Sequence, residues 1–223
     1  MNDYCYYCGQ PATSNEHVPP KTIFPKPKDS PDGRDYRQNL LTVRSCDIHN
    51  TEKSKEDEYL LYVLAMSLPA NDVARSQFLT KVRRAIERRP RLIERLLLKT
   101  EEVIVHDTVS NEWHKTLAIQ PEKHRLVAIF TCIAKALYFY EKRCVWPGNV
   151  SVLIEFMLSF HDLSQNERQR LLEQQLNSAL SNVPHKGENP DVFSYQFVEA
   201  DGKSFVRLYF YGNSRVSAVY VDG

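Results

Sequence analysis

The sequence predicts an α+β fold: a small, cross-linked amino-terminal module (residues 1–66), then a helix-rich domain (residues 67–223) that ends in an antiparallel meander. Three observations predict it. Two Cys/His pairs of matching spacing bracket a proline-rich start. Helical periodicity sets in at Thr51. The final segments alternate apolar and polar residues with period two.

Residues 1–50 are rich in Pro, Asn, Asp and Tyr, and Pro19, Pro20, Pro25, Pro27 and Pro31 prevent one regular element from spanning them. So short a segment buries too little apolar surface to fold by itself, so a cross-link is expected. Cys5-Tyr6-Tyr7-Cys8-Gly9 sets two thiolates on one tight turn, and Cys46-Asp47-Ile48-His49 repeats the two-residue gap. Cys5, Cys8, Cys46 and His49 make a full Cys3His set, and thiolate with imidazole favours Zn2+. Four protein ligands leave no open position, so this zinc is expected to be structural. Cys132 and Cys144 fall in or beside an apolar helix and read as core residues.

Residues 56–66 predict an amphipathic helix that starts near Asn50. Further helices are predicted over 72–87 and 91–99, broken at Pro90. Strands are expected over 103–109 and 113–119, around a turn at Ser110 and Asn111. Residues 125–142 are apolar nearly all round, as in a central buried helix. A strand over 150–156 precedes a polar surface helix over 164–181. Residues 193–199, 204–211 and 215–221 alternate, with turns at Asp201-Gly202 and Gly212-Asn213, which predicts a three-stranded antiparallel meander. Trp113 and Trp146 read as packing residues. His106, His114, His124, His161 and His185 have no paired spacing with cysteines or acids and read as structural or surface groups.

Between the two ligand pairs stands Ser14-Asn15-Glu16-His17-Val18-Pro19-Pro20-Lys21, followed by Asn39-Leu40-Leu41 and then by Cys46-x2-His49-Asn50-x2-Lys53. In order and rough spacing, residues 5–53 resemble the HNH endonuclease family, whose pattern is C-x2-C, (D/E)-H-x2-P, N-L, then C-x2-C-H-x2-K. The resemblance implies a ββα-metal module, a hairpin and then a helix clasping one divalent cation. Carried over by position, it implies Glu16 as a ligand of that cation, His17 as the general base on water and Asn39 as the residue that orients the His17 loop. It likewise implies Asn50 as the second ligand and Lys53 near a phosphate. The chain departs from the pattern in three places. Glu16 stands where aspartate is commoner, His49 replaces the fourth cysteine, and Asn50 replaces the last histidine, which makes an H-N-N version.

The residue types suit phosphodiester hydrolysis, which needs an activated water and neutralised phosphoryl charge. An imidazole with an ordinary pKa of about 6.5 accepts a proton at neutral pH. Oxygen ligands such as Glu16 and Asn50 suit Mg2+ or Mn2+. The expected function is a DNA endonuclease, RNA not being excluded, working with a partner protein that selects its target. By family analogy its setting is restriction or phage defence. The competing class is a catalytically inactive zinc module for binding nucleic acid or protein, and in one version of it His17 is itself a zinc ligand.

A formal net charge of +1 neither demands nor excludes a nucleic-acid partner, so the distribution of charge matters more. Residues 81–99 hold eight Lys/Arg against two Glu, a stripe able to track phosphates or to form a solvated helix face. Residues 20–38 read as a long loop over the site, offering Lys21, Lys26, Lys28, Arg34 and Arg37 to phosphates or to solvent. Glu56, Asp57 and Glu58 read as a solvated helix face, with one acid able to support the site. No apolar run approaches the roughly 20 residues that span a bilayer. The start lacks an apolar signal region, so a cytoplasmic location, thiols rather than disulfides, and no membrane partner are expected.

Overall fold

A computed structural model of the chain describes residues 3–51, 54–89, 100–107 and 111–222. Lys53 and the helix expected over 91–99 lie outside them. The amino-terminal module is a hairpin followed by a helix. β1 (Ser14–His17) pairs antiparallel with β2 (Thr42–Ser45), with Glu16 opposite Val43 and His17 opposite Thr42, and α1 (Asp47–Thr51) follows at once. Thr13 Oγ1 donates to Asp47 Oδ1 at 2.6 Å and ties the entry of β1 to the first turn of α1. Pro19 and Pro20 have no N–H for the ladder, so the strand stops before them.

Residues 20–38 form a strap with two 3-10 turns, Lys21–Ile23 and Pro27–Asp29. The strap is built into the core: Ile23 and Phe24 are buried. The Ile23 carbonyl accepts from Gln77 Nε2 and from the Tyr211 hydroxyl, both at 2.5 Å, and the Thr22 carbonyl accepts from Lys81 Nζ at 2.6 Å. Buried Asp29 pairs with Arg84 at 2.5 Å. Arg37 Nε donates to the Phe24 carbonyl at 2.9 Å and Arg34 pairs with Asp191 at 3.4 Å, so two of the five basic residues offered to phosphate hold the strap in place. Lys21, Lys26 and Lys28 are exposed.

α2 (Ser54–Ala65) buries every residue from Tyr59 to Ala65, so its second half is enclosed on all sides rather than amphipathic. The helix expected over 72–87 is present in three parts: α3 (Asp72–Gln77), a π-helical turn (Phe78–Val82) and α4 (Arg83–Arg88). Asn71 caps it, its side chain accepting from the backbone N–H groups of Val73 and Ala74. β3 (Thr100–Asp107) and β4 (Glu112–Ile119) pair as a two-stranded ribbon. Trp113 on it is 69% exposed, its ring stacked on His106. This corrects the reading of Trp113 as a packing residue: among the described residues nothing covers its face of the ribbon, and the indole is left in solvent.

α5 (Lys123–Lys142) is the central helix, with Leu126, Phe130, Ala134 and Leu137 fully buried. It stops at Arg143, which is left-handed at φ 58°. Cys144, just past this cap, is exposed instead of belonging to the core, because the helix that would have buried it has already ended. Cys132 is half-buried.

After β5 (Asn149–Ile154) and α6 (Leu163–Ala179) come β6 (Lys186–Asn189), β7 (Phe193–Ala200), β8 (Lys203–Phe210) and β9 (Ser214–Val221). They form one antiparallel sheet in the order β5-β9-β8-β7-β6, which extends the expected three-stranded meander by a strand on each side. β6 is invisible to periodicity because Lys186-Gly187-Glu188-Asn189 has no apolar alternation and its register with β7 is irregular.

The period of two gives the sheet unlike faces. Val206, Leu208, Phe210, Val216, Ala218 and Tyr220 bury one face against α5, and the Tyr220 hydroxyl donates to the Ala134 carbonyl at 2.7 Å. The other face, under α6, is polar. Arg207 is fully buried, donating from Nε to Glu155 Oε1 at 3.0 Å, from Nη2 to the other carboxylate oxygen and from Nη1 to Asn177 Oδ1 at 2.7 Å. Ser217 adds a third donor to Glu155. One continuous core joins Cys5 and Tyr6 at the start to Tyr220 near the end.

Two outcomes follow. Glu155→Ala leaves the Arg207 charge buried without its partner, and urea unfolding should show a loss of about 3–5 kcal/mol. Lys81 titrates at about 8, depressed by burial and then by Arg37, although Asp29 and Glu58 act the other way. Above its unfolded pKa of 10.5 the buried amine is neutral in both states, and below about 8 the folded protein must carry it charged. Between these values the unfolded chain binds the extra proton, so stability rises with pH. Relative to Lys81→Met, the wild type should gain up to ~3 kcal/mol between these pH limits; parallel pH dependences in urea unfolding would contradict this.

Candidate functional site

The metal-ligating cluster is assembled from two turns. Gly9 sits at φ 71°, a conformation open to glycine, and lets the Cys5–Cys8 turn close with Gly9 N donating to the Cys5 carbonyl at 3.0 Å. The Tyr6 N–H donates to the Arg44 carbonyl at 2.9 Å, which fastens this turn to β2. At the second turn, His49 N and Asn50 N both donate to the Cys46 carbonyl at 3.1 Å, so Cys46 opens α1 and His49 lies one turn along. Cys8 Sγ lies 3.8 Å from Cys46 Sγ, and His49 Nδ1 lies 3.2 Å from Cys46 Sγ and 3.8 Å from Cys5 Sγ.

A tetrahedral zinc with ordinary bond lengths sets sulfur–sulfur separations of about 3.8 Å and sulfur–nitrogen separations of about 3.5 Å. The four ligand atoms lie within 4.8 Å of one another and can hold a metal ion such as zinc. Among the described residues, no other three His, Cys, Asp or Glu side chains converge as closely. Burial acts to raise the Cys5 thiol, but backbone N–H groups of Cys8, Tyr7 and Cys46 outweigh it and bring the thiol below its ordinary range. A thiol so poised reaches the thiolate that a metal requires.

Beside this cluster, between the hairpin, α2 and α5, opens a cleft of about 450 Å3. Its polar lining is Glu16, His17, Glu56, Asp57, His124 and Arg125. Glu16 and His17 come from the end of β1. The Tyr6 hydroxyl bonds to Glu16, and its pKa is pushed well up, by burial first and by the Glu16 charge second. The turn that carries two metal ligands therefore also fixes the Glu16 carboxylate. His17 titrates below its ordinary value, because burial, then Lys21, then Arg37 disfavour its cation. A neutral imidazole is the form that accepts a proton. Across the cleft, Arg125 is fixed by Glu56 at 2.6 Å and lies 3.9 Å above the Tyr59 ring.

The other expected residues lie elsewhere. Asn50 Nδ2 donates to Ser14 Oγ at 2.8 Å, and Asn50 does not line the cleft. Ser14 and Glu16 are two apart on β1 and share a face, with Cα atoms roughly 6.6 Å apart by strand geometry, so Asn50 stands one step back from the carboxylate. Asn39 is exposed, left-handed at φ 52°, at the bend before β2, and is not part of the cleft lining.

From the sequence, Glu56 and Asp57 read as a solvated face with one acid able to support the site, and His124 as a structural or surface group; the place of all three at the cleft depends on α2 and α5 meeting over the hairpin. A signal was present in Lys123-His124-Arg125, three polar residues opening a helix whose next five residues are apolar. No protein-family model, curated protein or solved structure matches the chain. Among the described residues, no helix is long and apolar enough to cross a membrane.

The cluster carries its own prediction. Cys46→Ser should release the metal and unfold the hairpin and α1, since metal binding is folding free energy in so small a module. Elemental analysis showing an unchanged metal content would refute the ligand set.

Proposed function

We propose that the protein is a divalent-cation-dependent endonuclease of the HNH type that hydrolyses phosphodiester bonds in DNA, with a zinc at the Cys3His cluster as a structural staple. The observation that carries this reading is the placement of Glu16 and His17 on one cleft wall with the Glu56 and Asp57 carboxylates on the same cleft. The hairpin followed directly by a helix supports it.

The donor set fits Mg2+ or Mn2+. Both prefer oxygen, and Mg2+ binds through one or two carboxylates while keeping several waters, so a loose set of acids suits it better than a closed cage. Glu16 would hold the cation with a second carboxylate of the cleft, and Asn50 on α1, which bonds Ser14 two residues before Glu16, would steady β1 behind it. When bound, the cation supplies charge neutralisation on the phosphoryl oxygens. His17, kept neutral by burial and by Lys21 and Arg37, takes the proton from the attacking water. Tyr6 holds the Glu16 carboxylate in place. Exposed Lys21 is available to the phosphodiester backbone. A partner that selects the target and a role in restriction or phage defence belong to this proposal as family analogy.

Plasmid nicking with Mg2+ or Mn2+ tests the reading. His17→Ala should lower the rate by about 100-fold or more, the usual contribution of a general base, while metal content and melting temperature stay at wild-type values. A wild type that cuts neither DNA nor RNA with any divalent ion would leave the inactive zinc module as the better account.

A further inference from the structure

We propose that the cleft seats one unstacked nucleobase, so that the strand offered to Glu16 and His17 is single or locally unpaired; this rests on the hydrolytic reading above. The cleft has two unlike walls. Glu16 and His17 stand on one. The opposite wall is the face of α5 where Ala128, Cys132 and Ala136 recur every fourth residue, with Ile129 and Ile133 beside them. Residues four apart form one ridge of a helix. Here the ridge is made of small side chains, and the cavity of about 450 Å3 lies against it.

That volume falls within the ~300–1,000 Å3 of pockets that take small organic ligands, and such pockets are apolar with a few fixed polar groups. A flat heterocycle placed on an aliphatic wall gains the contact that nucleobases make when they leave the stack. Arg125 is the fixed polar group. Its Nε is held by Glu56 at 2.6 Å, its Nη1 lies 3.7 Å from Glu122 and its Nη2 3.5 Å from the Lys55 carbonyl, and each terminal nitrogen keeps a second N–H for an acceptor on a base edge. A continuous duplex keeps its bases in the stack and presents only backbone, so it leaves this apolar wall unfilled. A strand with one base turned out fills it and brings the adjoining phosphodiester to the polar rim.

The test compares fluorescein-labelled decathymidylate with an abasic decamer of the same length, by anisotropy with Ca2+ in place of Mg2+. Decathymidylate should bind the wild type about tenfold tighter than the abasic strand, the fold-change expected for burying one base face on an aliphatic wall. Ala128→Phe, which puts a ring into the cavity from the exposed end of the ridge, should bring it down to the abasic level without changing abasic binding.

Wild-type protein supplies a readout that needs no variant: bound decathymidylate should slow alkylation of half-buried Cys132 by iodoacetamide and leave exposed Cys144 unaffected. Equal binding of the two decamers, a loss shared by both in Ala128→Phe, or unprotected Cys132 overturns the proposal. Tight decathymidylate binding without Mn2+-dependent cleavage keeps the base pocket and removes the hydrolytic reading; cleavage without base discrimination does the reverse.

Discussion

Four donor atoms on two turns set the geometry of the amino-terminal end. A hairpin with four residues in each strand is marginal on its own. Here each of its flanks carries a turn whose side chains can hold a metal ion: Cys5 and Cys8 precede β1, and Cys46 and His49 follow β2. The separations of 3.2–3.8 Å among their sulfur and nitrogen atoms match one small tetrahedral ion. From that point the order passes outward through covalent neighbours. Tyr6 sits between Cys5 and Cys8 in the turn, and its hydroxyl meets Glu16. The position of the carboxylate is thus one residue removed from the metal cluster, and His17 is the next residue along.

The second constraint is the apolar body on which this hairpin rests. α5 packs on one side against the sheet, through Tyr220 and Ala134, and on the other lines the cleft with Ala128 and Ala136. A single helix is therefore both core and site wall, which explains why its apolar character runs nearly all round. The polar face of the sheet answers a different need. Arg207, Glu155, Asn177 and Ser217 satisfy one another under α6, where an apolar layer is missing. Such a network is costly to break and adds little to stability when complete, so its value lies more in fixing the register of β5, β8 and β9.

What could be read from the chain beforehand followed the range of the forces involved. Short-range rules sufficed for the Cys-x2-Cys and Cys-x2-His turns and for the alternation of β7, β8 and β9, because each is settled within a few residues. They failed where a partner distant in sequence decides. β6 is a strand only because β7 offers it an edge. Trp113 looks like core, but among the described residues nothing outside the ribbon packs over it. The strap at 20–38 reads as solvent-facing from its lysines and prolines, yet Ile23 is claimed by residues more than fifty positions away. In the candidate site, Glu16 and His17 were legible from the motif. Asp57 and His124 were not, since only the meeting of α2 with α5 brings them to the cleft.

The hold on Ile23 has a mechanical meaning. One backbone carbonyl receives both Gln77, from α3, and Tyr211, from the turn between β8 and β9. The strap that leaves β1 is thus in series with the hairpin of β8 and β9. The amino-terminal motif is not a cassette that can be lifted out. Cut free, it would carry Ile23 and Phe24 into water and lose the clamp that anchors His17's exit. A load applied to the far hairpin, by a bound protein or by a truncation, would travel through that oxygen to the cleft.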